Sequence, residues 1–126
     1  MSGMSQRLAK RIVEVPERYE SGNESTAALL RQTGYLETPE ALTVKEVERA
    51  LEEEPRLAEK WLDRGSDQRL VGGWGIEHDD DGQYRVQNYA DGKCLKDRNL
   101  FHACAEFIIR YIGFISDAVR NNARHS

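Results

Sequence analysis

The sequence predicts an α+β domain: N-terminal helices, a three-stranded antiparallel β-meander and a long C-terminal helix packed on one sheet face. Three observations predict it. Apolar residues recur at helical spacing through the first half of the chain, and the period turns to alternation between Gly73 and Lys96, around Asp81-Gly82 and Asp91-Gly92. From Asn99 a helical apolar stripe returns and runs for about five turns. At 126 residues, 39% of them hydrophobic, the chain is the size of one domain. Residues 1–42 read as an N-terminal helical segment and residues 43–126 as the core.

Leu8, Ala9, Ile12, Val13 and Val15 share one face of a helix over Ser5 to Val15, and Pro16 ends or kinks it. Ser21 to Ser25 is a polar break, after which Ser25 caps a short helix through Leu29, Leu30 and Gln32 that stops at Gly34. Thr43-Val-Lys-Glu46 is a capping box, and Val44, Val47 and Leu51 follow on one face. Pro55 opens the next helix, where its missing N–H costs nothing; Leu57, Ala58, Trp61 and Leu62 form its stripe, and Gly65 stops it.

In the meander, a three-residue loop of Asp80, Asp81 and Gly82 pairs Ile76 with Val86 and His78 with Tyr84. It also sets Glu77 beside Arg85 as a cross-strand ion pair. A two-residue loop would instead pair Ile76 with Gln87 and leave Val86 on the other face. A two-residue turn at Asp91-Gly92 then pairs Asn88 with Leu95 and Tyr89 with Cys94. The expected core face is Trp74, Ile76, Tyr84, Val86 and Leu95; the outer face is Glu77, Arg85, Gln87, Tyr89 and Cys94.

In the last helix Phe101, Cys104, Ala105, Ile108, Ile112, Ile115 and Val119 form one stripe, and Leu100, Phe107, Tyr111 and Phe114 a second. Apolar residues on two flanks are expected of a helix sandwiched between a sheet and other helices.

Charge and motif content exclude several function classes. Asp plus Glu outnumber Lys plus Arg by 22 to 18, a net charge of −4, which argues against nucleic acid as a partner. No apolar run approaches the roughly 18 residues of a membrane span, and the first twenty residues lack a signal-peptide core, so a cytoplasmic location is expected. Cys-x-x-Cys, His-Glu-x-x-His and a Gly-rich phosphate loop are all missing, so no metal, cofactor or catalytic residue is assigned. His78 to Gly82 has metal-ligand residue types, but a calcium loop starting at Asp79 would need an acid at Ala90, and the segment reads as a solvated hairpin tip. His102 and Cys104 lie about 200° apart around a helix and cannot act as base and nucleophile together. Ser66, Asp67 and Arg69 form a polar junction without a local His, where a pairing of Asp67 with Arg69 or of Asp63 with Arg64 would fix the turn into the first strand.

The arrangement Pro55-Arg-Leu-Ala-Glu-Lys-Trp61, Ser66-Asp67-Gln-Arg69, Gly73-Trp74-Gly-Ile76, Tyr84-x-Val86, Asp91-Gly92 and Ala103-Cys-Ala-Glu-Phe-Ile108 resembles the small immunity proteins encoded beside bacterial polymorphic toxins. It covers roughly residues 55–115. The resemblance implies a non-enzymatic protein that neutralises a cognate toxin by occluding its active surface, and it transfers no individual site residue.

Acidic runs supply the candidate partner surface, because complementary fields raise association rates. The candidates are Glu52, Glu53 and Glu54 at a helix end, Asp67 and Arg69 at the junction, Asp79, Asp80 and Asp81 at the hairpin tip, and Glu77, Arg85 and Tyr89 on the outer sheet face. Two other classes compete: a homodimer paired through Phe107, Tyr111 and Phe114, and a small enzyme using His78 or His102 with a carboxylate.

Overall fold

A computed structural model describes residues 3–17, 32–33, 35, 42–65, 74–88 and 92–124. Its elements are α1 (Gly3–Val13), α2 (Val44–Glu53), α3 (Pro55–Gly65), β1 (Trp74–His78), β2 (Tyr84–Asn88), β3 (Cys94–Asp97) and α4 (Leu100–Arg124). This is the α+β order expected. Among the described residues, no helix is long and apolar enough to cross a membrane. Of the helix expected from Ser25 to Gly34, only Gln32 and Thr33 lie among the described residues, and both are helical.

α1 stops at Val13, and the backbone is helical again at Val15 to Glu17. The break falls just ahead of Pro16, whose ring cannot follow a continuous preceding turn. Thr43 caps α2: its Oγ1 accepts the Glu46 N–H at 3.2 Å. Glu46 does not return the bond, and its Oε2 is buried with no hydrogen-bond partner among the described residues. Glu54 N–H closes α2 on the carbonyls of Ala50 and Leu51, and Leu57 N–H reaches back to Glu54 C=O, so α2 passes into α3 at Pro55 through one residue.

The sheet is antiparallel with order β1-β2-β3. β1 and β2 pair Ile76 with Val86, Glu77 with Arg85 and His78 with Tyr84, the register that a three-residue loop demands. Gly82 takes φ +83°, a conformation that a side chain disfavours, and its N–H bonds to Asp79 C=O. The second register differs from the expected one. Leu95 faces Val86 rather than Asn88, and Cys94 faces Gln87 rather than Tyr89. The cause is a longer connection: Asn88 N–H bonds to Lys93 C=O and Gly92 N–H to Asn88 C=O, with Gly92 at φ +77°. The slip is two residues, so every β3 side chain keeps its expected face. It also sets Leu95 against apolar Val86 instead of polar Asn88.

α4 packs on all three strands and against α2 and α3, while α1 packs on α2. Ile76 and Val86 are fully buried on the sheet side; Trp74, Tyr84 and Leu95 flank them, partly buried. Cys104, Ala105, Ile108 and Ile112 of the first α4 stripe are fully buried, and Ile115 is buried. Phe107 and Tyr111 of the second stripe are buried too, which leaves Phe114, 41% exposed, as its one open aromatic.

Trp61 sits at the centre of the helical layer with no exposed surface. Its ring stands edge-on to Phe107 (6.1 Å) and Tyr111 (6.3 Å), which stack on each other at 5.5 Å. Its Nε1–H donates to Val13 C=O at 3.0 Å. Val13 ends α1, so this bond satisfies a carbonyl that the helix itself cannot. Trp61→Ala is expected to lower stability by about 3–5 kcal/mol in urea unfolding. Trp61→Phe, which keeps most of the ring area but orphans the Val13 carbonyl, should cost about 1–3 kcal/mol.

Candidate functional site

The alternation of β1 and β2 puts Glu77, Asp79 and Arg85 on the sheet face turned away from α4, and β3 adds Lys96 beside Arg85. The four side chains form a network. Arg85 Nη2 lies 3.0 Å from Glu77 Oε2 and 3.6 Å from Asp79 Oδ1, and Lys96 Nζ lies 3.6 Å from Asp79 Oδ2. The Arg85 guanidinium is held above its ordinary value by the Glu77 hydrogen bond first and then by the Asp79 charge. Asp79 is the most enclosed member, with its side chain 16% exposed. It therefore belongs to the sheet face and not to the hairpin tip.

Asp80 and Asp81 do stand exposed at the tip, where Asp81 Oδ1 accepts the Gln83 N–H at 3.4 Å. Glu52 and Glu53 are exposed on α2. Glu54 is tied to Arg56 at 2.8 Å, and Arg56 also holds Glu17 at 2.8 Å. Glu53 lines a groove of about 400 Å³ between α1 and α2 with Lys10, Arg49 and Glu46. Asp67, Arg69 and Tyr89 lie outside the described residues. The structure thus brings together Glu77, Asp79 and Arg85, and sets the α2 acids on a different element.

Two features escaped the sequence. The first is an ion pair at the start of α4. Asn99 caps this helix, its Oδ1 accepting from Phe101 and His102 N–H, and Asp97 Oδ1 accepts the Asn99 N–H at 2.8 Å. The same turn brings His102 Nδ1 onto Asp97 Oδ2, while Nε2 faces Glu106 at 3.8 Å. The Asp97 bond is the main reason the imidazole is held above its ordinary range; partial burial opposes it, and the charges of Asp97, Glu48 and Glu106 add to it. Burial alone would raise the Asp97 carboxyl, but hydrogen bonds from Asn99 N–H and His102 outweigh it. The i, i+4 spacing of His102, Glu106 and Arg110 was visible in the sequence; the partner in β3 was not.

The second is a cleft of about 440 Å³ between α4 and the sheet, lined by Trp74 of β1, Val86 of β2, Lys93, Cys94 and Leu95 at β3, and Arg110 of α4. The Arg110 guanidinium lies 5.6 Å from the centroid of the Trp74 ring and is paired with Glu106. Neither this cleft nor the α1–α2 groove is lined by His102. Among the described residues, no group of three His, Cys, Asp or Glu could hold a metal ion.

The two thiols differ. Cys94 is exposed, whereas Cys104 is buried against Ala58 C=O (3.6 Å) and its thiol is pushed up to about 12 by burial. Comparison with protein-family models, curated proteins and solved structures finds no match.

Two outcomes follow. A disulfide reagent at neutral pH should label Cys94 quickly in the folded protein and Cys104 only on unfolding, so titration before and after denaturant reads one thiol and then two. His102 gains a partner on folding, so its contribution is complete below its unfolded pKa of about 6.5 and is lost as pH rises through the higher folded value. The thermal midpoint should therefore fall more between about pH 6 and pH 9 in the native chain than in His102→Gln.

Proposed function

We propose that this chain is a non-enzymatic binding protein of the immunity type. It acts in the cytoplasm and neutralises a cognate toxin by covering the toxin's active surface. The observation that carries this reading is the outer sheet face. Glu77 and Asp79 are fixed by Arg85 and Lys96 across three strands, next to Asp80 and Asp81 at an exposed tip. Four acids stand there against two bases. Charges already held in place lose little freedom on binding, and an acidic rim steers a basic partner.

The chemistry of the remaining reactive groups supports a binding role. The Cys104 thiol is buried and hard to ionise, and His102 is engaged by two carboxylates at a helix start, where it favours the charged form over that of a free base. Pairing through the second α4 stripe is the weaker reading, since Phe107 and Tyr111 are spent inside the core.

The test is co-purification with the toxin encoded by the neighbouring gene, together with protection of cells that express it. A stable complex that blocks toxicity is the expected result, and no complex would refute the assignment. Because Asp79 is already paired, the steering acids are Asp80 and Asp81. Reversing both to Lys should slow association several-fold and flatten its salt dependence while the thermal midpoint stays unchanged, as measured by surface binding at two ionic strengths.

A further inference from the structure

α1 and α2 pack together, and the groove of about 400 Å³ lies between them. Helical spacing builds its walls. Arg7 and Lys10 stand three residues apart on α1, and Glu46, Arg49 and Glu53 follow one another on α2 at steps of three and four. Ala50, short and buried, lines it between Arg49 and Glu53. Opposite charges that line one groove are expected to pair, yet here they stay apart. Among the described residues, the side chains of Arg7, Lys10 and Arg49 are held by no ion pair or hydrogen bond, and Glu53 is likewise unpaired. Glu46 goes further, since its Oε2 is enclosed without a donor. An enclosed carboxylate oxygen in that state is costly, and a donor that reaches it removes the cost.

We infer that this groove binds a free acidic amino acid, with the ligand's ammonium group on the Glu46 carboxylate and its two carboxylates on Arg7, Lys10 and Arg49. The balance of signs argues the occupant. Three cations face two carboxylates, so the lining carries one excess positive charge, which a ligand with two carboxylates and one ammonium neutralises. A purely anionic ligand such as phosphate would stand against Glu46 and Glu53, and a cationic one against the three bases. A ligand of both signs adds partners without setting like charges together. The terminal torsion of a glutamate is soft, so the Glu46 carboxylate can turn its Oε2 toward the groove. The arginines suit the other end, because a guanidinium grips a carboxylate through two parallel bonds. The size agrees, since small-molecule pockets begin at about 300 Å³. Neither Asp80 nor Asp81 lines the groove, so the inference stands or falls independently of the toxin reading.

The probe is L-glutamate, titrated into the full chain and followed by backbone amide shifts in NMR. The amides of Arg7, Lys10, Glu46 and Arg49 should move together and saturate with a Kd of about 1 mM or lower. N-acetyl-glutamate keeps both carboxylates but lacks the ammonium, and it should bind about tenfold more weakly. Arg49→Gln should weaken glutamate about tenfold, whereas Lys45→Gln, on α2 outside the groove, should leave it unchanged. Glu46→Gln should weaken glutamate but not N-acetyl-glutamate, which ties the ammonium to that carboxylate. Thermal midpoints show whether each variant is folded, and the comparison of ligands on the native chain decides the matter if one is not. Absence of shifts at about 10 mM glutamate overturns the inference. So does equal binding of N-acetyl-glutamate or inorganic phosphate, which would mark a general anion site, and so does tighter binding of the peptide Glu-Ala-Ala, which would mark a chain N-terminus as the occupant.

Discussion

The indole of Trp61 is the joint on which the helical layer depends. α1 reaches the rest of the described molecule mainly through α2, and its last carbonyl would be stranded in an apolar interior without the indole N–H. One side chain on α3 thus closes the end of α1 while its ring, edge-on to Phe107 and Tyr111, fixes the placement of α4. The long helix then carries that placement to the sheet, where Ile76 and Val86 complete the core. The charged outer face and the β3 cleft both inherit their geometry from this chain of contacts, because neither has an apolar core of its own.

How much was legible in the sequence follows from the range of each interaction. The β1–β2 register was readable because Asp80-Asp81-Gly82 is a short loop with a glycine where φ is positive, and because only one register buries both Ile76 and Val86. The β2–β3 register was misread. Asp91-Gly92 matches a two-residue turn signal, yet Gly92 serves in a longer connection, and the better partner for Leu95 lay two residues further back. The place of Asp79 could have been read from parity alone, since it stands two residues after Glu77. The Asp97–His102 pair could not, because it depends on how a strand end turns into a helix start through Asn99. Lys96 escaped as a site residue for a related reason: its partner Asp79 sits two strands away.

The two faces of the sheet are built differently. Toward α4 the strands offer Ile76 and Val86 fully buried and Trp74, Tyr84 and Leu95 partly buried, and the cleft opens at Trp74 and Leu95 beside Val86. On the far side, charges cross all three strands and compensate one another locally. A partly exposed ion pair contributes little to stability. The effect of this network is to hold carboxylates at fixed positions on strands whose placement the core sets.

The connection between Asn88 and Lys93 has an evolutionary consequence. A change of one residue there would turn Leu95 out of the core, but a change of two would slide β3 by one pleat and keep every side chain on its own face. Such a slide would carry Lys93 and Leu95 past Arg110, which is fixed on another element. Loop length in steps of two is thus a dial that can redraw the cleft while the fold is conserved, and divergence can accumulate there at little risk to the folded state.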